Sequence, residues 1–302
     1  MTVLPTSRAA TRLLAGFPLA LLPLLAVAGC APATPAPVAA TATTGFDAAA
    51  AETLPRALRE AGVLRLATDA AYPPASSYGP DGRTVVGFEP DLAAALGRVL
   101  GLRVEVVTMP FTDTLPALLA GDVDVVMAAM TATPERDDQV DFVHYFSAGT
   151  SIVVQRGNPH GVVDLRDVCG EAVAVEAGTT QVELLQSVTA DCTQPPQLVE
   201  TPTTPDALLE LRTGRVAAVL ADYPPAAAAV SDPTSRGHYQ LASTAQYAPG
   251  SYGIAVDPAH RELRDALQLA LRRVHDSGEY AEVLRRWDVE DGALRPDPPA
   301  GP

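Results

Sequence analysis

The sequence predicts an α/β fold built from two units, with the second unit inserted into the first. Short apolar strands alternate with helical stretches from Val63 onward, and this order implies right-handed crossovers and a mostly parallel sheet. The same alternation restarts near Ser151, after a stretch of extended sequence at residues 148–151. A second extended stretch at residues 247–251 leads back to the first unit. Two extended crossings therefore connect the units and leave a cleft between them, where small molecules commonly bind.

Each element of the first unit has its own signal. Residues 63–68 form a short apolar strand, and residues 89–100 show helical periodicity that ends at Gly101. The other elements predicted in this unit are strands at residues 84–87, 104–107 and 123–130 and a helix at residues 114–119.

The second unit repeats the pattern, and a long helical tail follows it. Its predicted elements are strands at residues 151–155, 172–175 and 216–220 and helices at residues 181–188 and 205–211. In the tail, Leu263, Leu267, Leu271 and Val274 fall on one helical face, which predicts packing against the core.

The N-terminus is typical of a secretion signal. Arg8 and Arg12 precede an apolar run of about 15 residues, which is shorter than the roughly 20 that a membrane span needs. The run ends in Ala28, Gly29 and Cys30, which resembles the bacterial lipoprotein processing signal. Residues 1–29 are therefore predicted to be removed and Cys30 to carry lipid. The alternative is an ordinary secretion signal with an incidental cysteine.

The composition divides the rest of the chain. Residues 30–50, the lipidated cysteine and an Ala, Pro and Thr segment, are predicted to be a flexible tether, since they offer little apolar surface to bury. We expect a discontinuous first lobe at residues 51–148 plus 249–302 and a second lobe at residues 149–248.

Charge and cysteine content exclude several classes of function. The formal net charge of −15 argues against nucleic acid or an anionic membrane surface as partner. Outside the cytoplasm, Cys169 and Cys192 are expected to form a disulfide, since no nearby ligand set supports a metal site or a nucleophile. The five histidines are scattered without metal-ligand spacing, so we predict no metal, no other cofactor and no catalytic residue.

Chemically distinctive residues follow the predicted strands, at the edge where ligands bind in open α/β sheets. Arg136 can hold a carboxylate through two parallel hydrogen bonds, and the Thr180 amide at a helix start can donate another. Asp222 would pair with an ammonium group, and Tyr72 and Phe111 would flank a side chain. This set is complementary to a zwitterion with a side chain.

At these positions the sequence resembles the family 3 solute-binding proteins, the amino acid-binding proteins of ABC importers. The matching stretches are TDAAYPP (68–74), VGFEPDL (86–92), MTATPER (130–136), AGTT (177–180) and GIAV (253–256), with SGEY (277–280) through Trp287 in the tail. The resemblance implies a periplasmic binding protein fold of type II, with two lobes joined by two hinge strands that close on the ligand.

The resemblance also implies a role for each residue. The ligand carboxylate is held by Arg136, Thr131 and the Thr180 amide, and the ammonium by Asp222, with Thr131 and the backbone near Ala129 helping. The ligand side chain lies between Tyr72 and Phe111, near Asp69. This chain departs from the family pattern at Ala75, where an aromatic residue is usual, and at Ala129, where Gly or Ser is common.

The implied protein is a monomer on the outer face of the cell membrane, anchored by the lipid at Cys30, that delivers an amino acid-like ligand to an ABC permease. The alternatives are an enzyme on the same fold, such as a dehydratase or lyase acting on a small carboxylic acid, and a sensory ligand-binding protein. Asp69 and the net charge favour a cationic or polar ligand side chain.

Structural roles are the alternatives for the individual charged residues. Arg136 would pair on the surface with Glu135 or Asp138, Asp222 would cap a helix, and Asp69 would stabilise a turn.

Overall fold

A computed structural model describes residues 43–295 of the chain. The predicted signal segment at residues 1–29, the predicted lipid site at Cys30 and residues 31–42 of the predicted tether lie outside the described residues. None of the helices within residues 43–295 combines the length and apolar composition needed to cross a bilayer.

The predicted tether extends too far into the chain. Asp47 caps helix α1 (Ala48–Glu52) by accepting a hydrogen bond from the Ala50 amide at 3.1 Å, and its other carboxylate oxygen accepts one from Arg273 Nε at 2.6 Å. Ala50 is fully buried. The prediction of a flexible segment up to residue 50 is therefore wrong for residues 43–50. The prediction was based only on the lack of large apolar groups in this segment. Alanine side chains are small enough to pack closely against other helices, so the segment can be ordered without large groups.

Helices and strands alternate along the chain as the sequence predicts. The remaining helices are α2 (Arg56–Ala61), α3 (Phe88–Leu100), α4 (Phe111–Leu119), α5 (Pro134–Asp137), α6 (Thr180–Val188), α7 (Thr204–Arg212), α8 (Tyr223–Ser231), α9 (Arg261–Asp276) and α10 (Glu279–Arg286). The strands are β1 (Val63–Thr68), β2 (Ala71–Tyr72), β3 (Ser76–Tyr78), β4 (Val85–Val86), β5 (Arg103–Thr108), β6 (Val125–Val126), β7 (Asp141–Gln155), β8 (Ala172–Glu176), β9 (Gln197–Thr201), β10 (Ala218–Asp222), β11 (Tyr239–Leu241) and β12 (Tyr247–Val256).

One sheet runs through the described residues in the order β5-β1-β6-β12-β7-β10-β8-β9, with β11 on β7. The pairs β1–β5, β1–β6, β8–β10 and β8–β9 are parallel. Strands β7 and β12 pair antiparallel to each other. The sheet is therefore mixed, with parallel strands at each end and two long antiparallel strands between them. A small antiparallel sheet of β2, β3 and β4 lies on the loop after β1.

The two long strands join two separate hydrophobic cores. Strand β7 pairs with β12 from Asp141 to Thr150 and with β10 from Thr150 to Val154, so it continues from one core into the other. Both predicted crossings, at residues 148–151 and 247–251, lie within these two strands. The prediction of an α/β fold of periplasmic binding protein type II, with two lobes and two connecting strands, is confirmed.

Each core is built from the faces that the sequence pattern marks as apolar. In the first, Leu92 of α3 and Leu267 of α9 are buried in one cluster with Tyr252. In the second, Val175 of β8 and Leu220 of β10 lie in a common cluster. Burial of a leucine of this kind stabilises the fold by about 1.5–3 kcal/mol.

The predicted strand at residues 123–130 pairs with neighbouring strands only at Val125 and Val126. The following residues stay buried, but Ala129 has a φ of 49°, which turns the chain away from the ladder. This early end to the strand directs residues 128–131 toward the carboxyl edge of the sheet.

Candidate functional site

All eight residues predicted to bind ligand line one pocket of about 340 Å³. Residues before β7 and residues after it contribute to its walls. The lining residues are Asp69, Tyr72, Phe111, Ala128, Ala129, Thr131, Arg136, Glu176, Thr179, Thr180, Gln181 and Asp222.

Arg136 is fixed at the pocket wall by backbone carbonyls. Its Nη1 donates to the Thr131 carbonyl at 2.7 Å and its Nη2 to the Gly178 carbonyl at 3.0 Å, and its Cζ lies 5.5 Å from the centre of the Phe111 ring. Burial lowers the pKa of Arg136, but a guanidinium remains charged at physiological pH. Two of its five N–H groups are used in these bonds, which leaves donors for a ligand carboxylate.

The alternative of a surface ion pair does not describe Arg136. Within residues 43–295 its guanidinium forms no salt bridge with Glu135 or Asp138.

Asp222 is the last residue of β10 and is 6% exposed. Its Oδ2 accepts hydrogen bonds from the hydroxyls of Tyr72 at 3.0 Å and Tyr252 at 2.7 Å, and its Oδ1 accepts one from Gln181 Nε2 at 2.7 Å. The residue occupies the N-cap position of α8, but its side chain makes no capping hydrogen bond. Its carboxylate therefore accepts hydrogen bonds from side chains around the pocket and does not cap the helix.

The environment of Asp222 favours a cationic ligand group. Burial raises the pKa of Asp222, while the three hydrogen bonds from Tyr252, Tyr72 and Gln181 and the charge of Arg136 act in the opposite direction. No cationic side chain within residues 43–295 lies in salt-bridge range of it. A ligand ammonium would supply the missing positive charge in a site already shielded from water.

The start of α6 borders the pocket beside Arg136, whose Nη2 donates to the Gly178 carbonyl just before the helix. Gly178 has a φ of 74°, and a Cβ placed there would lie 3.0 Å from Thr112 Cγ2, so a side chain is disfavoured both by conformation and by space. Thr180 is the first residue of α6, where amide groups lack intrahelical acceptors and the helix dipole favours negative charge. Its amide can thus assist Arg136 in holding a carboxylate.

Ala129 and Thr131 shape the floor of the pocket through their backbones. The Ala129 amide donates to Glu89 Oε1 at 2.6 Å, and Glu89 is buried. The Thr131 carbonyl is the acceptor for Arg136, and the Thr131 hydroxyl has no hydrogen-bond partner among the described residues. That hydroxyl is available to a ligand.

Asp69 has the turn role that the sequence analysis left as an alternative, although it also lines the pocket. Its Oδ1 accepts from the Ala71 amide at 2.9 Å and its Oδ2 from the Phe111 amide at 3.0 Å. Burial raises the pKa of Asp69. The carboxylate therefore joins the loop after β1 to the start of α4.

Sequence analysis missed four polar residues of the site: Glu176, Thr179 and Gln181, which line the pocket, and Tyr252, which donates to Asp222. Glu176 is the last residue of β8 and directly precedes the stretch at residues 177–180, and Gln181 directly follows that stretch. Including one more residue on each side of it would have identified both. Tyr252 lies in the connecting strand β12, and no local signal relates it to Asp222.

The described residues contain no group of three or more His, Cys, Asp or Glu side chains arranged to hold a metal ion. Away from the pocket, Cys169 and Cys192 form a disulfide with their sulfur atoms 1.99 Å apart.

Comparison with known proteins points to one family. Residues 64–290 match the model of the bacterial extracellular solute-binding proteins, family 3. The arginine-binding protein ArgT of Corynebacterium glutamicum is 28% identical over 246 residues, which is 80% of this chain and 79% of that protein. The putative ABC transporter arginine-binding protein 2 of Escherichia coli K12 is 31% identical over 74% of this chain and 90% of its own length. Other relatives are named for binding histidine, L-cystine and glutamine.

Solved structures agree with this match. An ancestral arginine-binding protein bound to arginine is 36% identical, with a TM-score of 0.70 over 75% of this chain and 98% of its own. The ancestral amino acid-binding protein AncCDT-1, described as a precursor of cyclohexadienyl dehydratase, is 29% identical, with a TM-score of 0.68 over 76% of this chain and 97% of its own. With its family match, its fold and its pocket in agreement, this chain belongs to the bacterial extracellular solute-binding proteins of family 3 and has the amino acid-binding role of that family.

Proposed function

We propose that this chain captures an amino acid through its α-carboxylate and α-ammonium groups and delivers it to an ABC permease. The observation that carries the proposal is that Arg136 and Asp222 line the same pocket with opposite charges, each without an oppositely charged partner among the described residues. A zwitterion satisfies both charges at once, whereas a simple carboxylic acid or amine satisfies only one.

In this proposal the carboxylate of the ligand binds the Arg136 guanidinium, the Thr180 amide and the Thr131 hydroxyl. The ammonium binds Asp222, with the backbone near Ala129 helping. These groups belong to parts of the pocket that precede and follow β7, so ligand binding would hold the two lobes together.

Binding without turnover is the second part of the proposal. The relatives ArgT and arginine-binding protein 2 are named as binding proteins, and AncCDT-1 is itself described as an amino acid-binding protein. The three hydrogen bonds on Asp222 stabilise a fixed carboxylate, which suits a permanent counter-charge better than a proton-transferring base.

The test is a thermal-shift screen of the purified protein against the common amino acids, followed by isothermal titration calorimetry. We expect at least one amino acid to raise the melting temperature and to be recovered unchanged after prolonged incubation. Arg136→Lys and Asp222→Asn should each weaken that binding by 100-fold or more, since the first loses the planar pair of donors that holds a carboxylate and the second loses the counter-charge of the ammonium. The exposed Arg166→Lys variant provides the matched control. Wild-type affinity in both pocket variants, or conversion of the ligand, would overturn the proposal.

Anchoring is tested separately. We propose that lipid on Cys30 holds the protein at the outer face of the membrane, as the small residues before that cysteine suggest. The full chain should partition into the detergent phase of a Triton X-114 extract, and Cys30→Ala should abolish this partition. Equal partition of both proteins would exclude the anchor.

A further inference from the structure

Two carboxylates in the pocket are not used by the proposed zwitterion site, and they differ in what they already bind. Both oxygens of Asp69 accept backbone amides, from Ala71 and from Phe111. Each of its two oxygens therefore already holds one backbone amide, and the carboxylate is fixed between the loop after β1 and the start of α4.

Glu176 has a different arrangement. The residue is 5% exposed, and its Oε2 accepts hydrogen bonds from both the amide of Thr204 at 2.9 Å and the hydroxyl of Thr204 at 2.6 Å. Within residues 43–295, its Oε1 has no hydrogen-bond partner. Thr204 begins α7, so the carboxylate is held in a fixed orientation by a helix start, while Oε1 has no hydrogen bond and the residue lines the pocket.

The charges of the pocket do not balance. Its lining residues include the carboxylates of Asp69, Glu176 and Asp222 but only one cation, Arg136. Burial, followed by the charges of Asp69 and Asp222, raises the pKa of Glu176 to about 7, against the hydrogen bonds from Thr204 that lower it. A zwitterion brings no net charge and leaves this excess of negative charge in place. A ligand with one further cation would reduce it.

We propose that Glu176 determines the specificity of the pocket by accepting a cationic ligand side chain, so that the site selects amino acids with an ammonium or guanidinium side chain over neutral ones of the same shape. The open Oε1 supplies the acceptor, and Thr204 fixes its position. The proposal rests on the proposed function, because it assumes that Arg136 and Asp222 hold the α-carboxylate and the α-ammonium.

A purely structural role is the competing explanation, since Glu176 also holds the first turn of α7. Glu176→Gln separates the two roles. Glutamine retains the size of the side chain and one oxygen that can accept from Thr204, but it carries no charge. The matched control is Glu200→Gln, which makes the same change at an exposed position of strand β9, next to β8.

The experiment measures the dissociation constants of the full chain for L-arginine and for L-citrulline, its neutral isostere, and for L-lysine. In the wild-type protein and in Glu200→Gln we expect L-arginine or L-lysine to bind at least 100-fold more tightly than L-citrulline. In Glu176→Gln we expect this ratio to fall below about tenfold. The ratio is an internal measure, because damage to the zwitterion site weakens all three ligands together.

A ratio near one in the wild-type protein, or an unchanged ratio in Glu176→Gln, would overturn the role of Glu176 while leaving the proposed function intact. If no amino acid binds the wild-type protein, the proposed function itself fails. Should Glu176→Gln prove unstable, Glu176→Asp provides the second variant. Because it keeps the charge, it should retain most of the discrimination, and loss of discrimination in this variant with normal L-citrulline binding would count against the charge argument.

Discussion

The Tyr72 hydroxyl donates a 3.0 Å hydrogen bond to Oδ2 of Asp222, a residue 150 positions later in the chain. Tyr252 donates to the same oxygen at 2.7 Å. Tyr72 follows β1, Asp222 ends β10, and Tyr252 lies in the connecting strand β12, so one buried carboxylate joins three separate parts of the fold. Neutral donors orient this carboxylate without neutralising it, which leaves its charge for a ligand.

Removal of one of these hydroxyls should weaken ligand binding. In Tyr252→Phe, Asp222 loses its shortest tyrosine contact, so its position is less fixed and its pKa rises further. A hydrogen bond to a charged group contributes about 1.5–3 kcal/mol, so we expect an affinity loss of roughly tenfold or more, measured by isothermal titration calorimetry. Tyr239→Phe is the control, because the Tyr239 hydroxyl binds the Leu208 carbonyl outside the pocket. Equal affinities of the two variants would show that the Tyr252 hydroxyl has no role in binding.

The strand-end argument predicted much of the site because parallel strands place their carboxyl ends at one edge of a sheet. Arg136, Asp222 and Phe111 all follow strands in this way, and the structure brings them to one pocket. The sequence could not show which of their hydrogen-bonding atoms are already occupied. That information depends on partners such as Tyr252, whose contact with Asp222 is set by the pairing of β7 and β12 rather than by local sequence.

The fold was easier to predict than its connecting strands. Apolar periodicity identified α3 and α9 because one helical face must be buried in each. The full 15 residues of β7 were not recognised, because this strand passes between two environments and its pattern changes along its length. The helix α1 was missed for a related reason, since short alanine runs give no periodic signal.

A buried glutamate supports the backbone of the pocket at Ala129. Glu89 Oε1 accepts from the Ala129 amide and from the Tyr145 hydroxyl, and Oε2 accepts from the Ser76 hydroxyl at 2.9 Å. Ala129 has a φ of 49°, a conformation that costs a non-glycine residue on the order of 1–3 kcal/mol and persists only where neighbours enforce it.

Glu89→Ala should therefore destabilise the protein and weaken ligand binding together. The variant leaves three buried donors without their acceptor, at about 1–3 kcal/mol each if they stay unsatisfied, so we expect a loss of at least about 3 kcal/mol in the free energy of unfolding. Urea denaturation provides the measurement, and the exposed Glu105→Ala provides the control. A loss below about 1 kcal/mol would mean that the conformation at Ala129 is maintained without Glu89.

The disulfide should contribute stability through the chain that it closes. Cys169 and Cys192 are separated by 23 positions, and a loop of this size restricts the unfolded chain by about 3 kcal/mol in the chain-entropy model. We expect the double variant Cys169→Ala, Cys192→Ala to lose roughly this amount in urea denaturation, with little change in ligand affinity because neither cysteine lines the pocket. Thiol labelling of the denatured, unreduced protein should modify neither cysteine, and modification of both would contradict the prediction.

The stability of the ligand-free protein should depend on pH through Glu176. Burial and the nearby carboxylates of Asp69 and Asp222 raise its pKa in the folded protein from an ordinary value of 4.5 to about 7. Below pH 4.5 the group is protonated in both the folded and the unfolded chain, so it has no effect on stability. As the pH rises toward 7 the unfolded chain releases its proton first, and the folded protein loses up to about 3 kcal/mol, at 1.36 kcal/mol per pKa unit.

Because glutamine does not titrate, Glu176→Gln should remove this component of the pH dependence. The free energy of unfolding of the variant, relative to that of the wild type, should therefore rise by about 2–3 kcal/mol between pH 4.5 and pH 8. Urea denaturation at both pH values, after unfolding and refolding to remove bound ligand, measures this shift. Glu200→Gln, whose side chain is exposed, should show none.

Asp69 and Asp222 also have raised pKa values, so both proteins retain a common loss of stability at high pH, and only the difference between them reports on Glu176. Parallel pH profiles for Glu176→Gln and the wild type would mean that Glu176 is as easily ionised in the folded protein as in the unfolded chain, and that the pocket has enough positive charge without a ligand.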